Sequence, residues 1–206
     1  MAGIILAMLE QRIEQHFIDS ADLKYQTAQI LSKPIAAAVQ ALLVCVTSGG
    51  KVLACGNGGC AALAQHFAAS FVGRFERERP ELAALALAAD SAVLTSSANE
   101  QAFAAIFGRQ VRALGGPGDV LLVLSVDGNC SNLQQAIKAA HEREMVVIGL
   151  SGHGGGTMVQ IMRDTDIHVD VPHERTARIL EILMLVLHCL CDGVDALLLG
   201  EQEETS

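Results

Sequence analysis

At 206 residues, with 51% apolar and 18% charged side chains, the chain is long enough to bury a full core as one domain and too apolar to be disordered. A net charge of −9 with no basic stripe argues against direct binding of nucleic acid. The six cysteines (45, 55, 60, 130, 189 and 191) follow neither a disulfide-scaffold nor a zinc-ribbon spacing, and read as reduced thiols of a cytoplasmic protein.

In chain order, Met1–Leu9 is apolar but has neither the basic start nor the small-residue cleavage site of a leader. Two helices are expected next, at about 4–20 and 21–48, with Pro34 kinking or dividing the second. Short runs rich in Val, Ile, Leu and Ala then predict buried strands at Val52–Cys55, Leu82–Ala88, Val120–Ser125, Val146–Leu150 and Ile167–Val171. Helices are expected between them near 58–74, 99–114, 130–143 and 154–162, and a last long helix from Glu174 to Leu199. Within that helix Ile182–Cys191 is too short to span a bilayer and lies beside Glu181 and Asp192, so no membrane partner is expected. The acidic tail Glu201–Ser206 reads as a frayed end.

Strands alternating with helices imply an α/β fold. The expectation is a single domain over 1–206 with a doubly wound, five-stranded parallel sheet of flavodoxin-like order 2-1-3-4-5. Residues 1–48 form an N-terminal helical extension, and 49–200 hold the core and the long C-terminal helix. Two strand-to-helix turns are alike, Cys55-Gly-Asn-Gly-Gly-Cys60 and Ser125-Val-Asp-Gly-Asn-Cys130. In this strand order they flank the crevice where the first and third strands part, the place such sheets bind ligands. Their backbone N–H groups and helix N-termini suit an anion, usually a phosphate. Cys60 and Cys130 would both stand at helix N-termini there, a setting that lowers thiol pKa values. A third turn, Ser151-Gly-His-Gly-Gly-Gly156, is either part of this edge or a flexible connection.

Ala54-Cys-Gly-Asn-Gly-Gly59, Gln65-His-Phe-Ala-Ala69, Gly73-Arg-Phe-Glu76, Gln110-Val-Arg-Ala-Leu-Gly115, Gly118-Asp-Val-Leu-Leu122 and Thr176-Ala-Arg-Ile179 occur in one order along nearly the whole chain. In these segments the chain resembles the SIS (sugar isomerase) family, and within it the phosphoheptose isomerases and the DnaA initiator-associating proteins. The resemblance implies a homotetramer packed through the N-terminal and last helices, with sites at subunit boundaries. It also implies an aldose–ketose isomerisation through an enediol, which needs a base for a carbon-bound proton and an acid for oxygen. The family's base and zinc ligands fall on His66, Ser70, Leu180 and His188. Both imidazoles are present, but a serine stands at the carboxylate position and a leucine at the glutamine position. Its phosphate cradle falls on Asn57, Gly58, Cys60, Ser125, Val126, Asp127 and Cys130, where only Ser125 keeps the hydroxyl. A carboxylate at Asp127, about 4–5 Å from a phosphate, costs on the order of a kcal/mol. Arg74 and the Asn99-Glu100 pair stand at further substrate positions of the family.

Losses at base, metal and phosphate together lead to the expectation of a catalytically impaired, tetrameric binding scaffold, with DnaA as the partner the resemblance implies. No cofactor is expected, and zinc only if isomerase activity is retained. Two alternatives are a phosphoheptose isomerase converting sedoheptulose 7-phosphate to D-glycero-D-manno-heptose 7-phosphate, with Glu100 or another carboxylate as base, and a sensor that binds a sugar phosphate. Elsewhere, Glu76-Arg-Glu-Arg79 reads as a solvated loop or partner patch, and Arg175 and Arg178 as partners for an anion or ion pair across a subunit boundary.

Overall fold

The computed structural model describes residues 2–100 and 103–200; the acidic tail read as frayed lies outside the described residues. The strands are β1 (Val52–Gly56), β2 (Ala84–Ala86), β3 (Val120–Leu124), β4 (Val146–Gly152) and β5 (Ile167–Val171). They form one parallel sheet in the order β2-β1-β3-β4-β5. The helices are α1 (Ala2–Thr47), α2 (Gly59–Val72), α3 (Ser91–Asn99), α4 (Ile106–Leu114), α5 (Ser131–Glu142), α6 (Gly156–Ile161) and α7 (Thr176–Leu199).

Alternation along the strands divides the core between the two faces of the sheet. Val52, Ala54, Leu122 and Leu124 pack with Phe67, Phe71, Leu42, Leu183 and Leu187 from α1, α2 and α7. Leu53, Cys55, Leu121 and Val123 face the other way, onto Ile106, Phe107, Ala136 and Ile137 of α4 and α5. Strands buried on both faces must be apolar at every position, which is why they read as continuous runs rather than alternating ones.

Three elements differ from the sequence expectation. The two N-terminal helices are one, α1, which runs through Pro34. Proline removes the bond to the carbonyl four residues back, that of Ile30; Ile30 is exposed, so water can take the place of the missing donor. The second strand is shortened to Ala84–Ala86, at the sheet edge. A separate helix, α3, precedes the expected 99–114 helix and is opened by Asp90, whose carboxylate accepts from the N–H groups of Ala92 and Val93.

Two helices, over Ile5–Thr47 and Thr176–Leu199, are long and apolar enough to cross a bilayer by length and composition, the second extending beyond the apolar stretch Ile182–Cys191 at both ends. The apolar face of α7 is spent on the core, with Ile179, Ile182, Leu183, Val186, Leu187 and Leu190 buried.

Candidate active site

β1 ends at Gly56, and the chain turns through Asn57 and Gly58 to start α2. Gly58 sits at φ 55°, in the left-handed region that glycine enters without strain. The N–H of Cys60 donates to the Asn57 carbonyl at 3.0 Å and closes the turn. After β3, the Ser125 hydroxyl accepts from the Gly128 N–H at 2.9 Å and the Asp127 carboxylate from the Asn129 N–H at 3.0 Å, which shapes the second turn ahead of α5. Between these turns lies a cleft of about 250 Å³, lined by Asn57, Cys60, Ser125, Asp127, Cys130 and Thr176. The N-termini of α2, α5 and α7 converge on it, each with the partial positive charge of its first N–H groups.

Across the cleft the amides of Asn57 and Asn132 pair reciprocally, each Nδ2 donating to the other Oδ1 at 2.9 Å. Burial pushes the Cys60 thiol up to about 12, with Cys130 and Asp127 adding to the shift. The expected thiolate-favouring environment is therefore corrected at this residue, because removal from water outweighs the helix N-terminus. Cys60 acts as a neutral, small apolar lining group.

α2 and α7 run side by side away from the cleft. Leu180 lies against Gly59 at the near end, and a methyl added to Gly59 would come within 3.0 Å of its Cδ1. At the far end, His66 Nε2 and His188 Nε2 stand 3.1 Å apart, with the rings 63° from parallel. Phe75 packs on His188, its ring centre 5.4 Å away. His66 stands seven positions along α2 from Gly59, so the pair lies about 10 Å along the helix from the cleft.

The remaining expected site residues lie elsewhere. Ser70 is buried one turn beyond His66 and donates its hydroxyl to the His66 carbonyl at 3.0 Å, so it faces back onto its own helix. Arg74 is exposed and ion-paired with Glu78. Asn99 is exposed at the end of α3. Glu100 pairs with Arg109 at 2.9 Å on the surface, away from the imidazole pair in sequence and exposed to solvent. For zinc, two imidazole nitrogens at 3.1 Å suit two ligands of one ion, but Leu180 brings no donor and the Ser70 hydroxyl is already committed. Among the described residues no three His, Cys, Asp or Glu side chains gather into a metal cluster. The residues present do not fit a catalytic zinc held by three protein ligands.

Three residues carry more than their sequence context suggested. Thr176 brings a hydroxyl into the cleft from the first position of α7; the signal for it was the Thr176-Ala-Arg-Ile179 segment itself. Asn132 had none beyond following the second turn. Arg79 corrects the solvated-loop reading, since its side chain is fully buried. Its Nε donates to Asp195 at 2.6 Å, Nη2 to the Ser70 carbonyl at 2.7 Å and Nη1 to the Phe71 carbonyl at 2.8 Å. It ties the end of α2 to α7. Arg178 likewise turns inward, to Glu181 at 2.6 Å and the His16 carbonyl at 3.1 Å, and Arg175 stands 3.7 Å from Asp19. The third glycine turn is a brace: the N–H of Gly152 donates to the Val126 carbonyl at 3.0 Å and that of Met158 to the Gly128 carbonyl at 3.0 Å.

Residues 16–152 match the SIS domain family. The phosphoheptose isomerase of Methylibium petroleiphilum is 60% identical over 200 residues, 97% of this chain and 100% of that one. The phosphoheptose isomerase of Dechloromonas aromatica is 54% identical over 189 residues, 92% of this chain and 96% of that one. The structure of phosphoheptose isomerase GmhA from Neisseria gonorrhoeae superposes with a TM-score of 0.86 at 46% identity, covering 91% of this chain and 99% of that one. These likenesses correct the expectation of an impaired scaffold for DnaA: relatives at this identity and coverage carry the isomerase name, and the alternative reading fits them better. With the family matched over most of its length and isomerases aligned almost end to end, the chain belongs to the SIS domain family, in its phosphoheptose isomerase branch.

Proposed function

We propose that this chain is a cytoplasmic phosphoheptose isomerase that interconverts sedoheptulose 7-phosphate and D-glycero-D-manno-heptose 7-phosphate. The observation that carries the reading is the facing pair of imidazoles, His66 and His188, set about 10 Å from the cleft where three helix N-termini meet. That separation matches the reach of an extended seven-carbon sugar with its phosphate in the cleft and C1 and C2 at the imidazoles. Imidazole suits the work, because one ring nitrogen can accept a proton and the protonated ring can give one back.

One imidazole takes the proton from C1 of the ketose while the other, protonated, gives its proton to the C2 carbonyl oxygen. The enediol then loses its O1 proton to the second imidazole and receives the first proton back at C2. No net proton is consumed. This chemistry uses the chain's own groups in place of the carboxylate that Ser70 does not supply.

Assembly is proposed as the homotetramer implied by the family resemblance. Its support is a set of exposed apolar side chains on α1: Leu9, Ile13, Phe17 and Tyr25 are 50%, 48%, 75% and 87% exposed.

The test is conversion of sedoheptulose 7-phosphate by the chelator-treated protein. Turnover is expected, reduced by about 10²–10⁴-fold in His188→Ala, with the melting temperature little changed because His188 is only half-buried. Absence of turnover with or without added zinc, or full activity in His188→Ala, would overturn the reading.

A further inference from the structure

Asn132 is an amide in the first turn of a helix, where such side chains usually compete with the backbone for hydrogen bonds. It is 2% exposed, a level of burial that asparagine tolerates only when paired. Its partner is across the crevice. The ladder between β1 and β3 ends at the Gly56–Leu124 register, so beyond it no sheet bond sets the spacing of the two turns. Among the described residues, the Asn57–Asn132 pair is the only side-chain hydrogen bonding between the first turn and the segment from Ser125 to Asn132. The second side of this clasp is firmly held, since the turn before α5 is braced by the Gly152, Thr157 and Met158 N–H groups. Among the described residues the first turn has only local backbone bonds, Cys60 to Asn57 and Ala61 and Ala62 to Gly58, and Gly58 and Gly59 after Asn57 are both exposed.

We propose that Asn132 is a positioning residue for sugar-phosphate binding: it acts through Asn57 to hold the glycine turn that opens α2 at a fixed distance from the turn that precedes α5. An amide has two N–H donors and an acceptor oxygen with two lone pairs, and the pair uses one of each on either side. Asn57, which lines the cleft, keeps an N–H for the ligand, and Asn132 fixes the plane in which that N–H lies. The inference rests on the sugar-phosphate reading above.

A double-mutant cycle on ligand affinity tests it, with Asn57→Ala, Asn132→Ala and the two combined titrated with sedoheptulose 7-phosphate, and melting curves run alongside. Asn132→Ala is expected to weaken binding about ten-fold, as misplacement of a binding group does. The double variant is expected to bind no more weakly than Asn57→Ala alone, because Asn132 has no route to the ligand except through Asn57. Additive losses, or an Asn132→Ala variant that melts lower but binds as wild type does, would show a merely structural amide and overturn the inference. Should the wild-type protein fail to bind the sugar phosphate, the functional reading fails separately, and the same cycle with inorganic phosphate decides the clasp: non-additive losses sustain it, while additive losses or no binding defeat it.

Discussion

Along the seam of α2 and α7, the end at Gly59 and Leu180 and the end at His66 and His188 use one pair of helices for different ends. At the first, Leu180 packs onto the start of α2 beside a neutral thiol, Cys60, and the polar groups available to a ligand come from turns and helix N-termini. At the second, two half-buried rings face each other, and further along the same two helices a buried ion pair of Arg79 with Asp195 joins them. The cradle thus depends largely on backbone, which tolerates exchange of its lining hydroxyls, with the Asn57–Asn132 pair setting the spacing of its two turns. The imidazole end depends on side-chain placement, and Arg79 supplies the rigidity it needs by taking the carbonyls of Ser70 and Phe71 at the end of α2.

The largest effect is expected where that ion pair is broken. In Arg79→Met the Asp195 carboxylate, 3% exposed, is left as an uncompensated buried charge, and one of its oxygens already lacks a partner. A loss of about 3–5 kcal/mol in urea-unfolding free energy is expected at neutral pH. The double variant Arg79→Met with Asp195→Leu should recover much of it, since an apolar pair of matched volume replaces the buried ions. If Arg79→Met is as stable as wild type, the seam is held by packing alone and the contrast between its two ends disappears.

How much of this was legible in the sequence differs between frame and site. The sheet order and both crevice turns could be read because buried parallel strands leave unbroken apolar runs, and Gly58 and Gly128 mark backbone at φ 55° and 70°. α3 was missed because Ser91–Asn99 is Ser-, Thr- and Ala-rich with little apolar period, and the Asp90 cap was its one local signal. The division of α1 at Pro34 was a local rule applied where packing decides: Leu31, Ala38, Val39 and Leu42 on either side of the proline are buried along one helix. Within the site, no spacing rule reports that residues 66 and 188 meet, since contact between distant helices is set by the fold; the family resemblance supplied that pairing. Arg79 was hidden for the opposite reason. A run of alternating charges is usually solvated, and only the tertiary structure shows which of the four turns inward.

A smaller change sharpens the contrast from the cradle end. Asp127 lines the cleft with a carboxylate, and its second-turn role is one hydrogen bond to the Asn129 N–H, which a serine hydroxyl can also accept. Asp127→Ser is expected to tighten inorganic phosphate and sugar-phosphate binding by about five-fold, roughly a kcal/mol, with the gain shrinking as salt is raised. Unchanged affinity at low ionic strength would mean that the carboxylate does not face the anion, and the three helix N-termini would then carry the binding without opposition.

The smallest expected effect lies outside the seam, at the brace behind the second turn. His168 Nε2 is 2.7 Å from the Ser151 hydroxyl, and burial holds the His168 pKa below its ordinary value, with Asp170 opposing in part. The folded protein therefore binds fewer protons here than the unfolded chain does in acid. Stability from this group is complete above about pH 6.5, where both states are neutral, and falls as pH drops from there toward the folded-state value. In His168→Gln, which can still bond Ser151 but does not titrate, the fall in melting temperature between pH 7 and 5.5 should be smaller than in wild type by about a degree or two. Equal slopes would show that the ring is protonated in the folded state at little cost. The brace would then share the tolerance of the cradle's backbone rather than the strict side-chain placement of the imidazole pair.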